Sequence, residues 1–343
     1  MKVFISTVTV LFLVAIGDCR STLPRQIDSL VVQGIQLSML QSYSDAIDIF
    51  TGIQDELPDH PAGYFFHAAV VQTRMMDFEH YDQEERFLSL IDTTIELAKQ
   101  KIKRDKDDAW AYFFLGGGYG YLSFYRAKQK KFWEAFHTAR YSVEALQIAV
   151  AKDSTLYDAY LGLGTYKYYR SRYSRYLSWL PLISDEREGG IDLIKVAMTK
   201  SRFSRYGAIN GICWIFVEEK RYQEGLAIAE SVLRDYPDSR VFLWCAAKLC
   251  KKLQRWHEAA KYYERILASL HRQGIQSPVN ELTCRKNLSH IYSKLQQHDR
   301  ARQQCEMASI IHLDKKTKKQ CSQTLQDIAE TCAAELNQAW PVE

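Results

Sequence analysis

Two stretches of the chain gather the residue types from which sites are built. "YKYYRSRYSRYLSWLP" (166–181) sets Tyr166, Tyr168, Tyr169, Tyr173 and Tyr176 among Lys167, Arg170, Arg172 and Arg175. Arginine interleaved with aromatic rings serves single-stranded nucleic-acid platforms, membrane-surface helices and peptide grooves alike, and a well-packed helix looks the same. If one helix runs through the stretch, Tyr166, Tyr169, Tyr173 and Tyr176 share a stripe, with Tyr168, Arg172 and Arg175 on the adjacent one. The first stripe is expected to pack and the second to meet water or a partner. "DFEHYDQEER" (77–86) collects Asp77, Glu79, His80, Asp82, Glu84 and Glu85. These are ligand types for a divalent cation, but the spacing of an EF-hand and its turn glycine are missing. A solvated loop between helices is the expectation.

The remaining candidates for chemistry are weaker. "LGGGYGYL" (115–122) lacks the preceding strand and the Gly-Lys-Ser/Thr ending of a phosphate loop, so Gly116, Gly117, Gly118 and Gly120 are expected to allow close helix approach. His257-Glu258 has no second histidine for a zinc site. No serine or cysteine stands in a nucleophile signature, and no carboxylate pair is singled out. The chain reads as a non-enzyme with no cofactor.

Of its 343 residues, 47% are hydrophobic and 25% charged, which suffices for a folded core. A net charge of +4 is too small to favour a dedicated nucleic-acid binder. Gly and Pro are sparse, at 16 and 7, so helices are expected nearly throughout. The basic runs "KQKIKRDK" (99–106) and "DKKTKKQ" (314–320) fit solvated helix ends, with an acidic partner or anionic lipid as the other reading.

Lys2, the apolar run Val3–Ile16 and the small residues Ala15 and Gly17 read as a cleaved export signal over 1–17. Lipid anchoring at Cys19 is disfavoured because Asp18 stands where a small neutral residue is required. The mature chain is therefore expected in a periplasmic or extracellular space, with no transmembrane span. Of eight cysteines, Cys213, Cys245, Cys250, Cys284, Cys305, Cys321 and Cys332 lie in helical patterns. Buried free thiols and disulfides both remain open, the C-terminal third being the place for a bridge.

Stepping through the chain, small and aromatic residues recur at fixed offsets. Gly34 is followed by Ala46, Phe50 and Pro58 at twelve, sixteen and twenty-four residues, and Cys213 by Gly225, Ala229 and Pro237 at the same three. Ala247 leads to Ala259 and Tyr263, and Ser289 to Ala301 and Cys305. Each frame describes a helical hairpin in which small residues admit close approach. The pattern resembles the tetratricopeptide repeat over most of the mature chain, strongly in 27–60, 206–239 and 240–273 and well in 282–315. "PAGYFFHAAVVQ" (61–72), "AYFFLGGGYGYL" (111–122) and "DAYLGLGTYKYY" (158–169) look like first helices of further units. "YLSWLPLISDEREGGIDLI" (176–194) also resembles a segment of exported bacterial proteins of this family and of the eukaryotic relatives grouped around the inclusion-body-clearance protein.

The resemblance implies an all-α, right-handed superhelical solenoid of about seven hairpins. Units one and two would occupy 27–106, two extended units 107–205, three further units 206–315, and a capping helix 316–340. Insertions are expected at 73–86, around 126–136 and from 166 to 190. In this family the first helix of each hairpin lines the concave face. That places Trp110, Phe113, Tyr121, Asp158, Tyr168, Tyr169, Arg172, Arg175, Trp214, Trp244 and Lys248 in a groove, with Asn210, Lys251 and Lys252 beside them. The implied function is non-catalytic binding of a protein or peptide segment in the cell envelope. A carbohydrate or lipid binder, or a cryptic hydrolase with a pocket in the aromatic middle, is the alternative.

Overall fold

The structure is a computed structural model that describes residues 23, 25–174, 184–274, 276–315, 318 and 322–338. The expected signal segment, Cys19, Cys321, Arg175, Tyr176 and Pro181 lie outside those residues. The described residues form seven helical hairpins and a final helix. The hairpins are α1 (Arg25–Met39) with α2 (Tyr43–Glu56), α3 (Pro61–Phe78) with α4 (Glu84–Arg104), and α5 (Ala109–Lys128) with α6 (Phe132–Lys152). They continue with α7 (Ala159–Ser174) and α8 (Arg187–Lys200), α9 (Arg205–Glu218) and α10 (Tyr222–Asp235), α11 (Arg240–Lys252) and α12 (Trp256–Arg272), and α13 (Pro278–Lys294) and α14 (His298–Ser309). The last helix, α15 (Ser322–Gln338), lies on α13 and α14. From α1 to α11 each odd-numbered helix packs on the next odd-numbered one, and α11 meets α13 through the bond from Lys251 to Asn287, so the first helices of the hairpins form a layer.

Local chemistry sets the ends. Asp108 caps α5 by accepting the Ala111 N–H at 2.9 Å, and Pro61 and Pro278 open α3 and α13, where a missing N–H costs nothing. Six hairpins turn in the same way. Gln41, Glu79, Lys130, Lys220, Gln254 and Gln296 all take φ between 49° and 64°. In each case the next residue donates its N–H back to the carbonyl five residues earlier, as in Lys131 to Arg126 and Gln297 to Tyr292, both at 2.9 Å. This closes the orphan carbonyls of the first helix with a left-handed residue that is never glycine.

The expected insertion at 73–86 is divided between the end of α3, a short turn and the start of α4, so extra residues there lengthen helices. The triple glycine has a packing role. A Cβ on Gly116 would meet Leu146 of α6 at 2.6 Å, one on Gly117 would meet Phe65 of α3 at 2.7 Å, and one on Gly118 would meet Ile95 of α4 at 2.9 Å. Three successive positions thus admit three different neighbours.

The array also closes on itself, and here the acidic stretch departs from expectation. Asp77 is buried at the end of α3 and holds the fully buried Arg240 of α11. Arg240 Nε donates to Asp77 at 2.9 Å, its Nη1 to Ser269 at 2.8 Å, and its Nη2 to Gln273 at 2.8 Å, while the guanidinium lies 4.9 Å from the Phe78 ring. Tyr43 donates to Asp77 at 2.8 Å; Asn280 and Ser277 donate to the carbonyls of Asp77 and Phe78 at 2.6 Å each. A second closure pairs Arg202 with Asp28 and packs Phe203 on Phe66, ring centroids 5.4 Å apart. A disulfide between Cys305 and Cys332 ties α14 to α15, and Cys213, Cys245, Cys250 and Cys284 are free and buried.

The tyrosine–arginine stretch is oriented opposite to the expectation. Tyr168 is fully buried, and its hydroxyl donates to Glu219 at 2.7 Å; Tyr173 is 61% exposed. Arg172 is paired with Glu218 at 3.0 Å and Glu219 at 3.3 Å, and Arg187 reaches Glu219 at 2.9 Å. The stripe containing Tyr168 and Arg172 therefore packs, because Glu218 and Glu219 at the end of α9 face it. The other stripe begins on the half-buried Tyr166 and Tyr169 and ends in solvent at Tyr173, which stacks on Tyr169 at 5.9 Å.

Two contrasts test these assignments in urea unfolding. Arg240→Ala strands a buried carboxylate and is expected to cost ~3–5 kcal/mol. Arg272→Ala, which breaks an exposed pair with Asp238, should cost under ~1 kcal/mol. Likewise Tyr168→Ala is expected to cost ~3–5 kcal/mol, and Tyr173→Ala to stay within ~0.5 kcal/mol. Equal losses within either pair would contradict the packing described.

Candidate peptide-binding surface

The expected groove residues separate into a core group and an accessible group. Trp110 is half-buried against Phe113, Phe114 and Phe203, at 5.3, 5.9 and 5.8 Å. Phe113 is buried, and Tyr121 meets the ring of Phe65 edge-on at 5.4 Å, its phenol pushed up to about 12 by burial. Asp158 is buried and accepts the backbone N–H groups of Phe203 at 2.8 Å and Ser204 at 2.6 Å, clamping the entry to α9. With Tyr168, Phe113 and Asp158 are core residues, while Trp110 and Tyr121 are half-buried, packing on Phe203 and Phe65. Tyr169 and Arg172 are half-buried against the end of α9, and Arg175 lies outside the described residues.

An accessible surface remains on α9, α11 and α13. Trp214 of α9 is 37% exposed, its indole N–H donating to Asn210 at 3.1 Å. Trp244 of α11 is half-buried, edge-on to Tyr263. Further along α11, Lys248, Lys251 and Lys252 line a cavity of about 320 Å³ with Gln254 and Trp256. Helix α13 adds Lys286, Asn287 and His290: Lys251 donates to Asn287 at 2.8 Å, and His290 lies edge-on to Trp256. Asp327 of α15 pairs with Lys286 at 3.1 Å.

The electrostatics mark this cluster as short of negative charge. Burial, then Lys248, Lys286 and Lys252, bring Lys251 down to about 8, with Asp327 opposing. Burial, then Lys252 and Lys286, lower Lys248. Burial, then Lys251 and Lys294, lower His290. Ammonium groups held together with few carboxylates repel one another, and an arriving anion would relieve that repulsion.

Nothing comparable points to reaction chemistry. The Cys245, Cys250 and Cys284 thiols are pushed up, chiefly by burial, Cys250 to about 12, which keeps them protonated. Among the described residues no group of three or more His, Cys, Asp or Glu is placed to hold a metal, and no helix is long and apolar enough to cross a membrane. Lys248, expected in the groove with Lys251 and Lys252 beside it, lies in this cluster with them; Lys286, Asn287 and His290 are not singled out in the sequence, where nothing but their place on a first helix marks them.

No protein-family profile matches the chain, and no curated protein sequence does. Solved structures do match. A chain of the APC/C hetero-tetramer Cut9–Hcn1 aligns with a TM-score of 0.51 at 14% identity, over 93% of this chain and 52% of that one, so this chain spans about half its length. The C-terminal part of a TPR repeat-containing protein from Cytophaga hutchinsonii aligns at 0.44 and 16% identity, covering 85% of this chain and 96% of that one. Yeast Tom70 aligns at 0.44 and 13% identity, covering 89% and 61%. Such identities speak to fold alone. The match to the Cut9–Hcn1 chain agrees with the seven hairpins and the final helix across the last pair: the chain is an all-α solenoid of stacked helical hairpins, with the offsets expected of a tetratricopeptide-like repeat.

Proposed function

We propose that this solenoid is a non-catalytic scaffold that holds an acidic segment of a partner protein against α9, α11 and α13. The observation that carries the reading is the lysine cluster of Lys248, Lys251, Lys252 and Lys286, whose one acting carboxylate on Lys251, Asp327, is shared with Lys286. Exposed Trp214 and half-buried Trp244 and Trp256 give apolar contact area beside the charges. Asn210 brings an amide into the same surface beside Trp214. The repeat architecture supports a role in protein interaction, because stacked first helices present a long surface to an extended or helical segment.

We also propose that the protein works outside the reducing cytoplasm, in the periplasm or extracellular space. The N-terminal export pattern supports this, as does the Cys305–Cys332 bridge, since disulfides persist in oxidising compartments.

A labelled Asp/Glu-rich peptide and its Asn/Gln analogue provide the test, with affinity read by fluorescence anisotropy. The acidic peptide is expected to bind at least tenfold more tightly, and Lys248→Gln with Lys251→Gln to remove that preference while unfolding stays normal. Equal affinity for both peptides would sink the reading. The pH dependence follows from Lys251. Its folded value lies below that of the unfolded chain, so its charge costs stability below about 8 and the cost is relieved as pH rises from there toward the ordinary lysine range. Acidic-peptide affinity should therefore be level from pH 6 to 7.5 and fall above 8. Lys248, Lys252, Lys286, His290 and Asp327 are the other titrating groups around it.

A further inference from the structure

The α5–α6 hairpin carries a surface that the fold does not explain. The buried face of α6 is built from Ala135, Thr138, Ser142, Ala145, Leu146 and Ala149, mostly small residues. Its large rings point outward: Phe132 is 66% exposed, Trp133 75% and Phe136 43%. Trp133 lies against Phe136 at 6.4 Å and His137 at 4.8 Å, so the rings form a group. Phe124 of α5, 48% exposed, belongs to the same end of the hairpin, where Ser123 donates to the Ala135 carbonyl. An amphipathic helix that turns its bulky apolar side to water is placed to bury it elsewhere.

The charges beside the rings select the environment. Nearby acids are engaged by cations: Glu79 by Lys128 at 3.0 Å, Glu134 by Arg126 at 3.7 Å, and Asp82 by Arg74 at 3.1 Å. Glu84 accepts from Gln129, and Glu85 is exposed. Lys130 and Lys131 form the turn itself, directly before Phe132 and Trp133. Both are exposed, with no ion-pair partner among the described residues. Tryptophan and phenylalanine beside free lysines at a helix start is the combination favoured at the headgroup boundary of an anionic bilayer. Rings enter the acyl edge while ammonium groups stay among the phosphates.

We propose that the tip of the α5–α6 hairpin is a membrane-docking surface that seats Phe132, Trp133 and Phe136 in the interface of an anionic bilayer, with Lys130 and Lys131 over its headgroups. This surface is separate from the lysine cluster on α11 and α13, and neither assignment requires the other.

Flotation of the full chain with vesicles of phosphatidylcholine containing 30% phosphatidylglycerol tests the proposal. Wild-type protein is expected to float with these vesicles. Trp133→Ser with Phe136→Ser should lower the partition at least tenfold without changing the melting temperature. Lys130→Gln with Lys131→Gln should lower it several-fold on anionic vesicles and leave pure phosphatidylcholine unaffected. Lys248→Gln with Lys251→Gln should leave it unchanged. Brominated acyl chains should quench tryptophan emission in the wild type, and less when Trp133 is replaced. Absence of flotation, or equal flotation by the ring variant, would overturn the assignment. So would flotation lost only with the α11 lysines. A ring-dependent dimer that ignores vesicles would give the surface to a second copy instead.

Discussion

One buried ion pair, Asp77 with Arg240, ties the second hairpin of this solenoid to its sixth. Repeat arrays are held by contacts between neighbours, so their ends are free to flex relative to each other. Here Arg240 meets Asp77 across 163 residues of sequence, joining the second hairpin to the sixth. Neither group is exposed, so any motion that parts them leaves two unpaired charges in a dry environment, which is far costlier than bending an ordinary inter-repeat contact. Ser269, Gln273, Tyr43 and the Phe78 ring add further contacts to the pair. Asn280 and Ser277 then fix the adjoining carbonyls. A chain of local units thereby acquires a long-range constraint, and the inner layer that carries the lysines inherits a fixed geometry.

The repeat phase was readable because close approach leaves a mark on residue size. A Cβ on Gly34 would lie 2.3 Å from Phe50, sixteen residues on, which is the same pair of slots that the offsets pick out. The turns left no such mark: six left-handed residues are Gln, Glu or Lys, so a search for glycine passes over them. Their conformation is imposed by the backbone bonds that close each first helix. Faces were harder still. Helical periodicity places Tyr168 and Tyr173 on different stripes, but which stripe is buried was decided by Glu218 and Glu219, some fifty residues away. The same holds for Asp77, whose acidic neighbourhood suggested a solvated loop until α11 supplied its partner.

The site followed the same division. Aromatic content pointed to the middle hairpins, where the rings of Trp110, Phe113 and Tyr121 turned out to pack on Phe65 and Phe203. Rings are ambiguous in a sequence because burial and binding both favour them. Lysine is less so: a cation is rarely placed in a half-buried cavity for stability, since desolvation and like-charge repulsion both oppose it. The lowering of Lys251 to about 8 is the thermodynamic trace of that opposition. The latch residue Arg240 sits on the same helix, α11, as Lys248, Lys251 and Lys252.

That shared helix links architecture to binding. Arg240 opens α11 and Lys251 and Lys252 end it, so one rigid element carries the closure at its start and the cationic cluster at its finish. Repulsion among the lysines could be relieved by splaying α11 from α13, yet Arg240 is bonded to Ser269 and Gln273 of the adjoining α12 region and to Asp77 of α3. Asn280, near the start of α13, is bonded to the Asp77 carbonyl as well. Both helices are therefore anchored to the same point at their starts, and nearer the lysines Lys251 ties them again by donating to Asn287. In the proposed scaffold, an acidic segment arriving at these lysines relieves a repulsion that the two tied helices do not relax.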